Sequence, residues 1–429
     1  MNTMRGRDPG EPHRSATSLE LFFDLCFVIA VAQASASLHT ALTHGEFATG
    51  ALRFALVFFT IWWAWMNFTW FASAYDPDDV PYRLTVLAQI TGSLVLAAGV
   101  RRAFEDGDLR IITFGYVVLR TTLAALWLRA AVSDPDRRRT ALRFAGGVTV
   151  CQLGWLALLG VPPGLRLPGI AVLIVAELCV PVWAQSAGMT TWHPHHIAER
   201  YELFTLIVLG ESVAAATVAV RSAFDRHHGT GALAAVAAGG LLTAYALWWL
   251  YFARPAHTLL ATTHQADRRR FPWAYGHYLV FAAATAEGAG LAAYADHVTR
   301  HTGASAPAAG AAVTVPAAVF LLTVWAVHLR PHQKRVAEWL PYPATAAALV
   351  PAAWSPAPAL VAGALLAVLV ALTSTPGTDP EDPANLPRSY DGSRGGRSVR
   401  IGVRPGRMLN GRSETEPSGK SESVHREGS

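Results

Sequence analysis

Apolar runs of about 20 residues recur from residue 19 to residue 374, and this pattern limits the fold before anything else does. At a rise of 1.5 Å per residue, each such helix crosses roughly 30 Å of hydrocarbon. Only 15% of the residues are charged, where a soluble chain has about a quarter. Hydrophobic residues make up 52%, and the mean hydropathy is positive. We expect an all-α, polytopic membrane helix bundle of about twelve transmembrane helices. The expected spans are 19–42, 49–74, 82–103, 109–131, 141–160, 167–187, 197–220, 231–253, 273–294, 309–329, 336–353 and 357–374. Pro341, Pro343, Pro351, Pro356 and Pro358 interrupt the last two, which can instead form a re-entrant pair or one broken span.

Residues 1–18 are polar and arginine-bearing, and the run after them is too long for a signal-peptide core. They read as a cytoplasmic N-terminal segment before an uncleaved first span. Residues 375–429 are rich in Pro, Gly, Ser, Arg and Glu and poor in large hydrophobes, so a disordered cytoplasmic tail is expected. With both ends inside, the inner loops hold the arginine clusters Arg137–Arg139 and Arg268–Arg270, as the positive-inside rule requires. Topology accounts for these arginines, and with no globular reader domain no nucleic-acid partner is expected. Cys26, Cys151 and Cys179 fall in apolar runs at no metal-like spacing, and read as small packed hydrophobes.

An internal repeat is also indicated. Glu20 opens the first span and Glu199 the seventh; Trp62-Trp63 lies late in the second and Trp248-Trp249 late in the eighth. Two parallel six-helix repeats, 19–187 and 197–374, would follow, a layout used by transporters.

Ionisable residues inside a membrane cost at least about 2.5–3.5 kcal/mol each, so they should face the protein interior and find partners. Glu20 and Asp24 are one helical turn apart and share a face. They can cap the helix entrance or line a path. On the seventh span, His196, Arg200, Ile207 and Glu211 fall on one stripe, with Glu211 about 16 Å deeper than Arg200. Arg120 sits mid-span and needs a carboxylate; Glu177, Glu211 and Glu287 are the candidates. His193, His195, His196 and Glu199 have the chemistry of a metal site, but Pro194 and the irregular spacing count against one, and no metal is assigned. After the second span, Asp78 and Asp79 are placed to cap the third helix and pair with Arg83. No nucleophile elbow, Walker loop, H-E-x-x-H or dinucleotide fingerprint occurs, so no cofactor is expected.

Several motifs in order resemble the low-temperature-requirement A (LtrA) family of bacterial multi-pass membrane proteins. They are Leu19-Glu-Leu-Phe-Phe-Asp-Leu-Cys-Phe-Val-Ile-Ala-Val-Ala-Gln33, Asp78-Asp-Val-Pro-Tyr-Arg83 and Gly115-Tyr-Val-Val-Leu-Arg120, then His195-His-Ile-Ala-Glu-Arg200 through Leu209-Gly-Glu-Ser212, and Gly276-His-Tyr278. Glu202 stands where the family pattern has glycine, and should serve a different surface from Glu211. The resemblance implies a bacterial cytoplasmic membrane location and a membrane bundle, and no settled activity. The residues themselves favour a secondary transporter or ion-conducting protein for an unknown small solute or ion. Asp24, Arg120, Glu211 and His196 would be its path residues. The alternatives are a non-catalytic membrane component for cold adaptation, or an enzyme using the His193–Glu199 cluster. The sequence leans away from an enzyme, and oligomeric state is not legible in it.

Overall fold

The computed structural model describes residues 4–8, 11, 14–225, 230–262, 270–300 and 303–374; the expected tail over 375–429 lies outside them, as do Arg268 and Arg269. Among the described residues the chain is helical throughout. The helices are α1 (Ser18–Thr43), α2 (Phe47–Ala74), α3 (Val80–Glu105), α4 (Arg110–Ser133), α5 (Arg138–Leu158), α6 (Pro163–Gln185) and α7 (Pro194–Asp225). They continue with α8 (Thr230–Phe252), α9 (Ala256–Thr262), α10 (Arg270–Arg300), α11 (Ala306–Val324), α12 (Val336–Trp339), α13 (Pro341–Ala352) and α14 (Pro358–Thr373). A single π turn, Trp325–Leu329, follows α11.

Local chemistry sets the boundaries. Asp79 caps α3 by accepting from the Tyr82 amide, and Pro163, Pro194 and Pro358 open α6, α7 and α14, where a missing N–H costs nothing. The two acids at this corner take different partners: Asp78 pairs with Arg83 at 2.8 Å, and Asp79 with Arg129 of α4 at 2.5 Å.

Nine helices among the described residues are long and apolar enough to cross a membrane. They are α1 to α8, α5 taken with the short turn before it, and α11 taken with the turns after it. The proline-rich end resolves into a 12-residue α13 and a 16-residue α14. At 1.5 Å per residue, α13 is only about 18 Å long, short of the hydrocarbon thickness.

Consecutive long helices alternate in direction, so the bundle has one face where α1 begins, the N-face, and an opposite face. The buried α2 packs against α1, α3, α4, α7 and α10. It carries Trp62, Trp63 and Trp65 into the core at 1% exposure or less. The outside is apolar: Phe22, Leu25 and Ile29 of α1 and Val172, Val175 and Trp183 of α6 are all exposed. In water that surface would be a large unsatisfied patch, whereas lipid covers it at no cost. Cys26 and Cys151 are buried, but Cys179 is exposed, against the expectation that it packs internally. Trp248 and Trp249 are nearly half exposed, so they do not share the environment of Trp62 and Trp63.

Candidate functional site

The opening of α1 and the start of α7 meet in a buried polar network at the N-face. Glu20 divides its two oxygens. Oε2 accepts from the Thr17 amide at 2.8 Å, completing a capping box, while Oε1 lies 3.0 Å from His196 Nε2 and 3.2 Å from Arg200 Nη1. One turn deeper, Asp24 takes a forked pair from Arg200, Nε to Oδ2 at 2.8 Å and Nη2 to Oδ1 at 2.6 Å. Trp65 Nε1 donates to Asp24 Oδ1 at 2.7 Å. Glu20, Asp24, His196 and Arg200 are each at most 1% exposed. Two carboxylates thus share one guanidinium and one imidazole, and the planar fork of Arg200 fixes the register of α7 on α1. The cap and the inward-facing roles expected for Glu20 therefore coexist in one side chain.

The segment before α1 closes over this cluster. Arg14, buried, donates to the carbonyls of Ser73 and Ala72, the latter at 2.6 Å. The Arg7 amide donates to the Ala74 carbonyl at 3.0 Å, and the Ala16 amide to Glu199 Oε2 at 3.0 Å. Burial pulls the Arg14 guanidinium below its ordinary value against the charge of Glu20, and pushes the Asp76 carboxyl above its own. His193 Nε2 lies 2.7 Å from the Glu11 carbonyl, whereas His195 is exposed, with its ring 5.4 Å from that of His257. His193, His195 and Glu199 are thus spread over different partners. No group of three or more His, Cys, Asp or Glu placed to hold a metal forms among the described residues.

Arg120 finds Glu177. The helix that carries it is held against α3 at Gly115, where any Cβ would overlap the Leu96 backbone. The Arg120 guanidinium donates to Glu177 Oε2, and three further donors converge on the same carboxylate. These are Trp63 Nε1 at 2.9 Å, Tyr116 OH at 3.3 Å and Trp155 Nε1 at 3.3 Å. Arg120 is 1% exposed and Glu177 not at all, and Arg120 Nε and Nη1 have no hydrogen-bond partner.

Two cavities bracket this pair. On the N-face side, one of about 40 Å³ is lined by Asn67, Trp70, Trp127, Thr190 and Tyr275 among others. On the opposite side, one of about 90 Å³ is lined by Arg53, Thr60, Thr113, Tyr116 and Trp155 among others. Tyr116 and Trp155 separate Glu177 from the second cavity. Tyr275, packed on Trp63 with ring centroids 5.7 Å apart, stands between it and the first.

The remaining candidates fall elsewhere. Glu211 is half-buried and interacts with Ser35 of α1, and Glu202 reaches the backbone at Ala256, where α9 begins. The stripe His196–Arg200–Glu211 is therefore not one site: its first two members face Glu20 and Asp24, and its last does not join them. Arg120 is paired within the α2–α6 helices, apart from Asp24, His196 and Glu211. Glu287 is fully buried, and neither of its oxygens makes a hydrogen bond.

Sequence reasoning missed a fourth group. His277 Nδ1 lies 2.7 Å from the Trp273 carbonyl, and its Nε2 is 3.1 Å from Tyr251 OH and 3.0 Å from His328 Nε2. His328 sits in the π turn, a feature common at functional positions. Gly276-His-Tyr278 carried the signal for His277, while nothing local marked His328 or Tyr251.

The family described as "Bacterial low temperature requirement A protein (LtrA)" matches residues 15–374. A Rhizobium meliloti (strain 1021) protein, "Uncharacterized protein RA0937", is 28% identical over 272 residues, covering 60% of this chain and 64% of that protein. The match thus spans less than two thirds of that relative. The family match starts just before the Glu20 cap and ends at the close of the last described helix, so it takes in the Glu20, Asp24 and Arg120–Glu177 contacts, and the chain belongs to the LtrA family of multi-pass membrane proteins.

Proposed function

We propose that the protein is a secondary transporter or ion-conducting protein of the bacterial cytoplasmic membrane, with both termini inside, and that Arg120–Glu177 is its central barrier. The observation that carries this is the position of the pair: near the middle of two apolar helices, under-satisfied at Arg120 Nε and Nη1, and one aromatic layer from a cavity on each side. A purely structural pair gains by having all its donors met. Two guanidinium nitrogens without hydrogen-bond partners instead offer a transient site for an anionic or polar solute, or for water that carries ions. Rotation of Trp63 and Tyr275, or of Tyr116 and Trp155, would connect Glu177 to one side at a time, as alternating access requires. Glu20, Asp24, His196 and Arg200 act in this scheme as the clamp between α1 and α7, because Arg200 is already held by both carboxylates.

The test is proton, sodium and potassium flux into liposomes holding the purified protein. Wild type is compared with Arg120→Met/Glu177→Gln, a double variant that removes both charges and keeps an acceptor for Trp63, Tyr116 and Trp155. Flux in wild type that is lost in an equally heat-stable double variant supports the reading. Unchanged flux in that variant would move the path elsewhere, and no flux in wild type would remove the simple ion-pathway version.

A further inference from the structure

Helices α7, α8 and α10 bring a buried carboxylate and two hydroxyls to one level. The carboxylate is Glu287, at 0% exposure and without a salt-bridge partner among the described residues. The Ser212 hydroxyl lies beside it and is also 3.4 Å from the Ala284 carbonyl. Helix register brings one more hydroxyl to the same level. Gly240 of α8 abuts Leu291 of α10 and Ala216 of α7. One turn nearer the N-face come Thr243, Glu287 and Ser212, at offsets of three, four and four residues. On the other side of α10, Gly290 abuts the backbone of Ala312 and Val313, which brings the Ala312 carbonyl against that helix. Thr243 is at 0% exposure, and its hydroxyl oxygen has no partner. Pro316 adds to this: without an N–H, it cannot bond the Ala312 carbonyl one turn back.

An isolated carboxylate at this depth is too costly to persist charged and alone, whereas Glu20, Asp24 and Glu177 all have a basic partner. The groups that share this level with Glu287, the Ser212 and Thr243 hydroxyls, are hard oxygen donors suited to hard cations. One negative charge is neutralised by one monovalent ion; a divalent ion would leave an uncompensated positive charge in the bundle. We infer that Glu287, Ser212 and Thr243 form a binding site for a dehydrated small monovalent cation of the sodium class. The ion exchanges with a proton on the Glu287 carboxyl: sodium enters as the proton leaves, and the net charge of the site stays zero. The site lies apart from Arg120–Glu177 and stands whether or not solutes pass between the α2–α6 helices.

The test is the melting temperature of the full-length protein in detergent, with sodium chloride titrated against choline chloride at constant ionic strength, at pH 6, 7 and 8. Binding to the folded state raises the melting temperature with ligand concentration. We expect sodium to raise it in wild type, with a half-saturating concentration that falls up to ~10-fold per pH unit while the proton competes. Glu287→Gln should abolish the sodium response, and Thr243→Val should raise the half-saturating concentration several-fold with little change in choline. Identical melting in sodium and choline at all three pH values would overturn the inference, as would a full sodium response in Glu287→Gln. Should Glu287→Gln fail to purify, Thr243→Val and Ser212→Ala decide: an unaltered sodium response in both overturns it. The readout is binding, so absence of flux leaves the result unaffected.

Discussion

Removing the charge from Glu177 alone should be among the most damaging conservative changes in this protein. Glu177→Gln keeps size and one carbonyl acceptor, so Trp63, Tyr116 and Trp155 can still find an oxygen. The loss falls on Arg120, which is 1% exposed and has Glu177 as its acidic partner, with Nε and Nη1 already unsatisfied. Breaking a buried pair by removing one partner costs about 3–5 kcal/mol, because the surviving charge is left desolvated and unpaired. That is two to three and a half powers of ten in the folding equilibrium at about 1.4 kcal/mol per decade, enough to halve the stability of a marginal protein. Replacing both members is a different matter. An apolar Met in place of Arg120 leaves no orphan charge, and such replacements are often neutral or better. The assay is thermal unfolding in detergent followed by tryptophan fluorescence, for wild type, Glu177→Gln, Arg120→Met and the double variant. The expected order is wild type close to the double variant, with both single variants well below. If Glu177→Gln melts with wild type, the pair is not a buried charge pair and the reasoning fails. If the double variant is worse than either single, the pair contributes net stability that no desolvation account allows.

Three other outcomes follow from the geometry. Arg200→Lys should destabilise by about 2–3 kcal/mol, because an ammonium cannot reproduce the fork onto Asp24 while also facing Glu20; thermal shift reads it, and a shift within error would count against a forked pair. Gly115→Ala should lower the melting temperature by the equivalent of about 1–3 kcal/mol through overlap with the Leu96 backbone, and wild-type stability there would mean that α3 and α4 are not in backbone contact. Asp76 lies outside the spans, and burial first, then the charge of Glu20, holds its carboxyl above its ordinary value. The folded form therefore binds the proton more tightly than the unfolded form. Its contribution favours folding as pH falls through the raised folded value, and levels off below the ordinary one of 3.8. Comparing melting across pH 4–7 for wild type and Asp76→Asn should show that the variant lacks this acid-side gain; parallel curves would refute the shift.

Much of the architecture was legible in advance because the bilayer leaves a chain few choices. Runs of apolar residues must become helices when no water is present to satisfy the backbone, so the first ten expected spans each coincide with a helix. Prolines marked the weak end correctly as irregular, and α13 is the short helix that results. Capping chemistry also acts over a few residues, which is why Glu20 and Asp79 could be assigned from neighbours alone. Side-chain partners were less accessible. The stripe from His196 to Glu211 was a correct statement about one helix, but it could not say that α1 supplies the acids for Arg200 and not for Glu211.

By itself the sequence determined that this chain is a helical membrane bundle and where its long helices lie, and it marked Glu20, Asp24, Arg120, Glu177 and Glu287 as residues that face the interior, since these follow from hydropathy and local hydrogen bonding. Only the tertiary structure decided that Arg120 meets Glu177 rather than Glu211 or Glu287, that Arg200 meets Asp24, and that Glu287 is buried without a salt-bridge partner among the described residues. Those outcomes depend on which helices touch and at what rotation. Several carboxylates of equal chemistry competed for each guanidinium, and only the packing of small residues such as Gly115, Gly240 and Gly290 against neighbouring helices selects one of them.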